Sequence, residues 1–265
     1  MEDTVTVTHN SGFFSCCSVK LHHIIEYINN YKKIPKHVNS SHQFLLYKET
    51  NRDTTYDYFE HYENMNICLD ELCELNNIIK YDYENQFINY NNIDFKNVVP
   101  LVTKYFSPSV QIKEIINNME TKYNLDYKNT CVLFHRGNDK ITETQLCSYN
   151  DYIPKADNII QKNPNIKFLI QSDETEFIEF MQNKYPNNVI FKDEIRHMKK
   201  ECSSVDRKMR DNIFLYSKYY LAITIIMSKC EYVICGSGNC SIWVVLYRNN
   251  NNNVYQYLKG VWYDC

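Results

Sequence analysis

The ten residues from Cys131 to Lys140 read CVLFHRGNDK. Four apolar residues suited to a buried strand give way at once to His135, Arg136, Gly137, Asp139 and Lys140. In an open α/β sheet, ligands bind beyond the carboxyl ends of the strands, and a glycine there lets the backbone turn. Arginine grips two phosphate oxygens through parallel hydrogen bonds, and lysine adds a compact second charge. The chemistry such a pair supports is stabilisation of a departing nucleoside diphosphate. A plainer role is open to the same residues, with Asp139 closing a turn and Arg136 as a solvated surface charge.

Two more strand ends carry polar residues. Ser172, Asp173 and Glu174 follow the apolar run Ile166–Ile170, and GSGNCS at Gly236–Ser241 follows Tyr232–Cys235. Ser237, Gly238, Asn239 and Ser241 can wrap a phosphate with amides and hydroxyls at a helix start, while a carboxylate such as Asp173 or Glu174 can hold a base edge or a ribose hydroxyl. Singly, each reads as a cap or a turn; together on one rim they point to a nucleotide. Near the amino terminus, Thr4–Thr8 alternates as a strand and His9 to Gly12 form a turn. His9, at the strand end, is an acid or base candidate, and Gly12 tolerates close backbone approach before a helix expected from Ser18 to Tyr31. His22 and His23 are neighbours on that helix, about 100° apart, so at most one faces a cleft. The basic run Arg196–Arg210 reads either as a loop closing over a diphosphate or as a solvated charge run.

The elements that must position these groups follow from periodicity. Gln43–Tyr47 is expected as a second strand, and Asn51–Asn66 as a long loop or inserted lobe whose aromatics line a sugar surface or cover a small core. Leu69–Ile79 is expected as a helix and Val98–Val102 as a strand or buried link. Ser107, Pro108 and Ser109 start a helix that carries Ile112, Ile115, Ile116, Met119 and Tyr123 at helical spacing. From Cys131 onward, strands and helices alternate: helices Asp151–Gln161, Thr175–Lys184, Arg210–Met227 and Asn239–Leu246, strands Ile166–Ile170, Val189–Phe191 and Tyr232–Cys235. Alternation implies parallel crossovers and a Rossmann-like carboxyl domain. The expected division is residues 1–105 and 106–265.

Composition narrows the classes. A chain of 265 residues can build two cores, and a formal net charge of −3 gives no global attraction to nucleic acid. The cysteine count of 11 is odd and spread through a chain able to bury apolar surface, so reduced thiols are expected rather than a disulfide scaffold. Cys230, Cys235 and Cys240 recur at equal spacing without a C-x-x-C pair, and ordinary buried cysteines are preferred there to a metal site. MEDTVTVTHN lacks the basic start and apolar core of a signal peptide. Tyr219–Met227 is too short to cross a bilayer. The expectation is a cytoplasmic protein with no membrane span and no nucleic-acid partner.

The sequence resembles the fucosyltransferases that make α1,6, α1,2 and protein O-fucose linkages, the α1,6 group above all. Their motif H-x-R-R-x-D-K is similar to FHRGNDK, with Arg136, Asp139 and Lys140 matching its first arginine, aspartate and lysine. Phe134 stands at the motif histidine with His135 one place along, and Gly137 replaces the second arginine. LHHIIEY (Leu21–Tyr27), FSPS, FLIQSDE (Phe168–Glu174), NKYPN (Asn183–Asn187) and EYVICGSGN (Glu231–Asn239) fall in the family's order. The resemblance implies a GT-B-like α/β fold, two Rossmann-like domains with parallel sheets and an interdomain cleft. It implies an inverting glycosyltransferase that needs neither cofactor nor metal and moves fucose from GDP-fucose to a glycan or glycoconjugate hydroxyl. Arg136 would bind the β-phosphate, Lys140 would add charge, and Asp139 would orient the loop. Asp173 and Glu174 would lie near the nucleoside, and Ser237–Ser241 near the phosphates. Glu143 is the first candidate for the base, to within one residue of alignment, and His9 the second. Another nucleotide sugar, or a nucleotide-sugar or glycan-binding protein without turnover, stays open, as does a purely structural interaction protein.

Overall fold

The alternating Thr4–Thr6 forms strand β1, which pairs in parallel with β2 at His37–Asn39, and helix α1 (Phe13–Tyr31) crosses between them. The computed structural model describes residues 3–49, 52–64 and 78–265. Helix α1 begins at Phe13, five residues before the expected Ser18, because its first turn is apolar and has somewhere to go. Phe14 sits 4.8 Å from the Tyr220 ring and 6.1 Å from Trp243. The short α2 (Thr55–Tyr58), then α3 (Phe95–Phe106) and α4 (Val110–Tyr123), complete the amino-terminal part. Ser109 caps α4 by accepting a hydrogen bond from the Ile112 amide.

The remaining chain alternates as expected through β3 (Thr130–His135), α5 (Ile153–Lys162), β4 (Lys167–Ser172), α6 (Thr175–Lys184) and β5 (Asn188–Val189). It continues through the short α7 (Val205–Lys208), α8 (Ile213–Lys229), β6 (Tyr232–Gly236), α9 (Asn239–Arg248), β7 (Val254–Leu258) and β8 (Val261–Asp264). The sheet order is β5-β4-β3-β6-β7-β8, and β8 is its antiparallel member. Every residue of β3 is buried, as a central parallel strand covered on both faces requires. Its side chains divide between two cores: Val132 and Phe134 face the layer of α8 and α9, Cys131 and Leu133 the layer of α5 and α6. Connections from β3 and β6 therefore diverge to opposite faces, which opens a crevice beyond their carboxyl ends.

The core that holds α8 and α9 continues without a break into the amino-terminal part. Val5, Leu21, Ile24, Val98 and Leu101 belong to the same buried cluster as Leu221, Trp243 and Val254. Among the described residues no helix is long and apolar enough to cross a membrane.

Two expectations change. Gln43–Tyr47 is not a strand: Phe44 takes a positive φ of 56° as it enters the core, and a single 3-10 turn at Leu45–Tyr47 follows. Val98–Val102 lies inside α3, where Val98, Leu101, Val102 and Tyr105 supply a buried helical stripe. Pro100 is tolerated there because the carbonyl it leaves unbonded belongs to solvent-exposed Lys96. After Asn253, where no element was expected, β7 and β8 form a hairpin joined through Lys259 and Gly260, both at positive φ, the geometry of a tight two-residue turn. Asn249 and Asn253 before it also take positive φ, which asparagine tolerates better than most residues. The helix expected over Leu69–Ile79 lies almost wholly outside the described residues.

Lys20 of α1 is a charge placed in this core. It is 1% exposed, and its Nζ stands 5.5 Å from the Phe106 ring centroid. Burial depresses its pKa to about 8, with Asp53 only partly restoring it. A depressed lysine pKa means that below pH 8 the fold carries a buried charge that the unfolded chain solvates freely. That penalty fades as pH rises toward the unfolded value. Lys20→Met is expected to raise unfolding free energy by about 2–3 kcal/mol near pH 7. In paired denaturant titrations the gain should shrink between pH 8 and pH 10; a gain independent of pH would contradict the buried-charge account.

Candidate functional site

A cavity of about 670 Å³ opens at the crevice between β3 and β6. Five stretches wall it, with Gln86 and Tyr220 between them: the loop after β3, the turn from β6 into α9, the start of α1, Leu45–Tyr47, and the segment from Arg196 to Arg207. Arg136 is its most constrained cation. The guanidinium donates through Nε to Asp173 Oδ2 at 2.9 Å, through Nη1 to the Tyr220 hydroxyl at 2.7 Å, and through Nη2 to Asp139 Oδ1 at 2.9 Å. Its side chain is 17% exposed. Burial alone would weaken the charge, but Tyr220, Asp173 and Asp139 outweigh it and push the pKa well above the ordinary guanidinium value. Asp139 responds in the opposite sense: burial raises its pKa, while Arg136 and Lys140 overcome that and hold the carboxyl below its usual range.

Asp173 is a brace rather than a nucleoside contact. It is 1% exposed, and besides Arg136 it accepts the Gly137 amide at 2.8 Å on Oδ1. Glu174 also turns inward. It is fully buried, its Oε2 accepts the Tyr149 hydroxyl and lies 3.3 Å from His135 Nε2. Burial raises the Glu174 pKa, and His135 and Tyr149 more than reverse that. His135 stacks on Phe177 at 4.9 Å between centroids, beneath the loop and outside the cavity wall. A side chain at 137 would put its Cβ 2.1 Å from Glu174 Oε1, so glycine is required there by the carboxylate's approach.

On the opposite wall, Ser237, Gly238, Asn239 and Ser241 line the cavity where α9 begins. Gly238 at φ 151° sets the turn and brings the first turn of the helix to the cavity wall. Ser237 and Ser241 donate their hydroxyls to backbone carbonyls, of Tyr257 and Gly236. Gly12 lines the cavity at the start of α1.

Glu143 stands at the cavity wall, where both carboxylate oxygens accept from Lys140 Nζ at 2.8 and 2.7 Å. Gln86 joins it to the α9 side: Nε2 donates to Glu143 at 2.8 Å, and Oε1 accepts the Asn239 amide at 3.3 Å. His9 does not line the cavity; it meets it through Ser15, whose Oγ is 3.0 Å from His9 Nε2, and burial lowers the His9 pKa. His22 is placed elsewhere, against Tyr83 at 3.8 Å. Of the residues singled out from sequence, Arg136, Asp139, Lys140, Glu143, Gly12 and the Ser237–Ser241 turn come together. His135, Gly137, Asp173 and Glu174 support them from below.

Sequence reasoning missed Gln86, Tyr220 and Asp206, and it saw Arg196 only as one charge in a basic run. Arg196 donates to Asp206 Oδ1 at 2.6 Å, and Asp206 Oδ2 accepts the Tyr47 hydroxyl at 2.9 Å. No local pattern marks these positions, because tertiary packing alone brings them to the wall. Among the described residues, no group of three or more His, Cys, Asp or Glu side chains is placed to hold a metal ion.

No protein-family model and no curated protein matches the chain. Solved structures do. The crystal structure of NodZ alpha-1,6-fucosyltransferase soaked with GDP-fucose superposes with a TM-score of 0.52 at 10% identity, covering 100% of this chain and 99% of that one. The form co-crystallised with GDP gives 0.50 at 10% identity over 97% and 95%, and the selenomethionine form from Bradyrhizobium gives 0.52 at 9% over 99% and 98%. Along nearly its whole length, this chain has the α/β fold of those fucosyltransferase structures.

Proposed function

We propose that the protein is a glycosyltransferase that transfers fucose from GDP-fucose to a hydroxyl of a glycan or glycoconjugate. The observation that carries this reading is the pinned Arg136 guanidinium facing the α9 amino terminus across a cavity at the sheet's switch point. A cation on one wall and helix amides on the other suit a diphosphate. The fold shared with structures soaked in GDP-fucose or grown with GDP supports the choice of nucleotide and sugar.

The reaction follows from the charges. An acceptor hydroxyl attacks carbon 1 of the sugar from the face opposite the nucleotide, the bond from carbon 1 to the β-phosphate oxygen breaks, and GDP leaves with the electron pair, inverting the anomeric centre. Glu143 takes the hydroxyl proton, and the two hydrogen bonds from Lys140 Nζ hold that carboxylate in place before it does so. The negative charge that grows on the β-phosphate falls to Arg136 and the α9 amides, so protein donors serve where a metal would otherwise be needed. Residues 1–105 would form the acceptor side and residues 106–265 the nucleotide side. The nine described cysteines are all unpaired, which favours a reducing, cytoplasmic setting.

In thermal-shift measurements with a panel of GDP- and UDP-sugars, GDP-fucose and GDP should raise the melting temperature; stabilisation by no GDP species would overturn the reading. Glu143→Gln should cut kcat about 10²–10⁴-fold with little change in donor KM. Arg136→Lys should lower kcat/KM about 10²-fold, because lysine cannot reproduce the three directed hydrogen bonds. Gly137→Ala should cost about 1–3 kcal/mol of stability and most of the donor affinity, since the new methyl displaces Glu174 beneath the loop. Calorimetry showing an unchanged melting temperature and GDP affinity in that variant would refute the packing account.

A further inference from the structure

We propose that Arg196 is the second diphosphate-binding cation of this site, carried on the segment after β5 and paired with Arg136 across Tyr220. This inference rests on the reading of the cavity as a nucleotide-sugar site and adds a residue to it.

Arg196 differs from its basic neighbours. Lys199, Lys200, Lys208 and Arg210 are exposed, and so is Arg207 although it too lines the cavity, whereas the Arg196 side chain at the wall is only 9% exposed. Its backbone is fastened rather than loose. Met198, two residues on, bridges to Glu174: the Met198 amide donates to the Asp173 carbonyl at 3.1 Å, and the Thr175 amide donates to the Met198 carbonyl at 2.8 Å. Arg196 is thus registered against the same strand end that braces Arg136.

The two guanidiniums share one aromatic residue. Arg196 Cζ lies 3.5 Å from the Tyr220 ring centroid, and the hydroxyl of that ring accepts from Arg136. A planar guanidinium suits an aromatic face, which lysine would fill less well. Each cation also has its own carboxylate, Asp206 for Arg196 and Asp139 for Arg136. Such pairing lets two like charges stand close without a ligand. It leaves donors over: an arginine has five N–H groups, and Arg196 gives one side-chain hydrogen bond among the described residues. The residue itself lines the cavity. A diphosphate spreads its charge over two phosphorus centres and matches two such forks better than one.

Glycine at 137 fits this arrangement. Glu174 leaves no room for a side chain beside Arg136, so a second cation has to arrive from another element.

The test is isothermal titration of GDP into the intact protein and four variants, Arg136→Lys alone among them, with circular dichroism to establish folding. Arg196→Gln should weaken GDP about 10–100-fold, the loss of one charge-assisted contact. Because that change strands Asp206, the paired variant Arg196→Gln with Asp206→Asn is measured beside it and should show a similar loss. Combined with Arg136→Lys, the Arg196→Gln loss should persist, which separates direct binding from propping Arg136 through Tyr220. If wild type binds GDP and both Arg196 variants bind within twofold of it, or if the loss vanishes in the Arg136→Lys background, the proposal is wrong. If wild type itself fails to bind GDP, the nucleotide-sugar reading falls and takes this inference with it.

Discussion

One buried carboxylate fixes the geometry of the cavity. Asp173 holds the Arg136 guanidinium with one oxygen and the Gly137 amide with the other, and it does so with 1% of its surface in water. A carboxylate in that position cannot give up either partner without leaving a buried charge unpaired. Its two bonds therefore tie the end of β4 to the loop after β3, and Arg136 inherits a single orientation. The carbonyl of the same residue accepts from Met198 and from the Asn138 side chain, so the segment bearing Arg196 is registered to that point too. Below it, Glu174, His135, Tyr149 and Phe177 form a filled layer that keeps the loop from sinking into the sheet.

Much of the carboxyl half was legible because its physics is local. Fully buried parallel strands read as short apolar runs, and the longer helices between them show either an inward stripe or, in α8 and α9, burial nearly all round, so β3, β4, β6, α4, α5, α6, α8 and α9 were anticipated within a few residues. The amino-terminal half was less legible. Phe44 and Val98 sit in apolar stretches that period alone assigns to strands, and only packing against Phe13 and along the α3 stripe decides otherwise. The β7–β8 hairpin was not anticipated: the asparagine run before it reads as loop, and β7 is fixed by pairing with β6 across the intervening α9.

The site divides in the same way. The arginine motif and the glycine-serine turn were visible because strand ends and helix starts leave short signatures. In the structure Asp173 and Glu174 are internal supports, His135 is a packed ring, and His22 lies elsewhere on α1. Gln86 and Tyr220 left no trace in sequence, since a lone glutamine in an irregular stretch and one tyrosine among 23 carry no information about what they will face.

The unbroken apolar core described above bears on how such a cleft can move. Two lobes that swing apart as rigid bodies need a seam that wets cheaply, and relative motion is the default only where that seam is small and polar. Here Phe14 of α1 is wedged between Tyr220 of α8 and Trp243 of α9, so a hinge opening along that line would drag aromatic surface into solvent. Any opening of the cavity is left to the segments at its rim rather than to a rotation of halves.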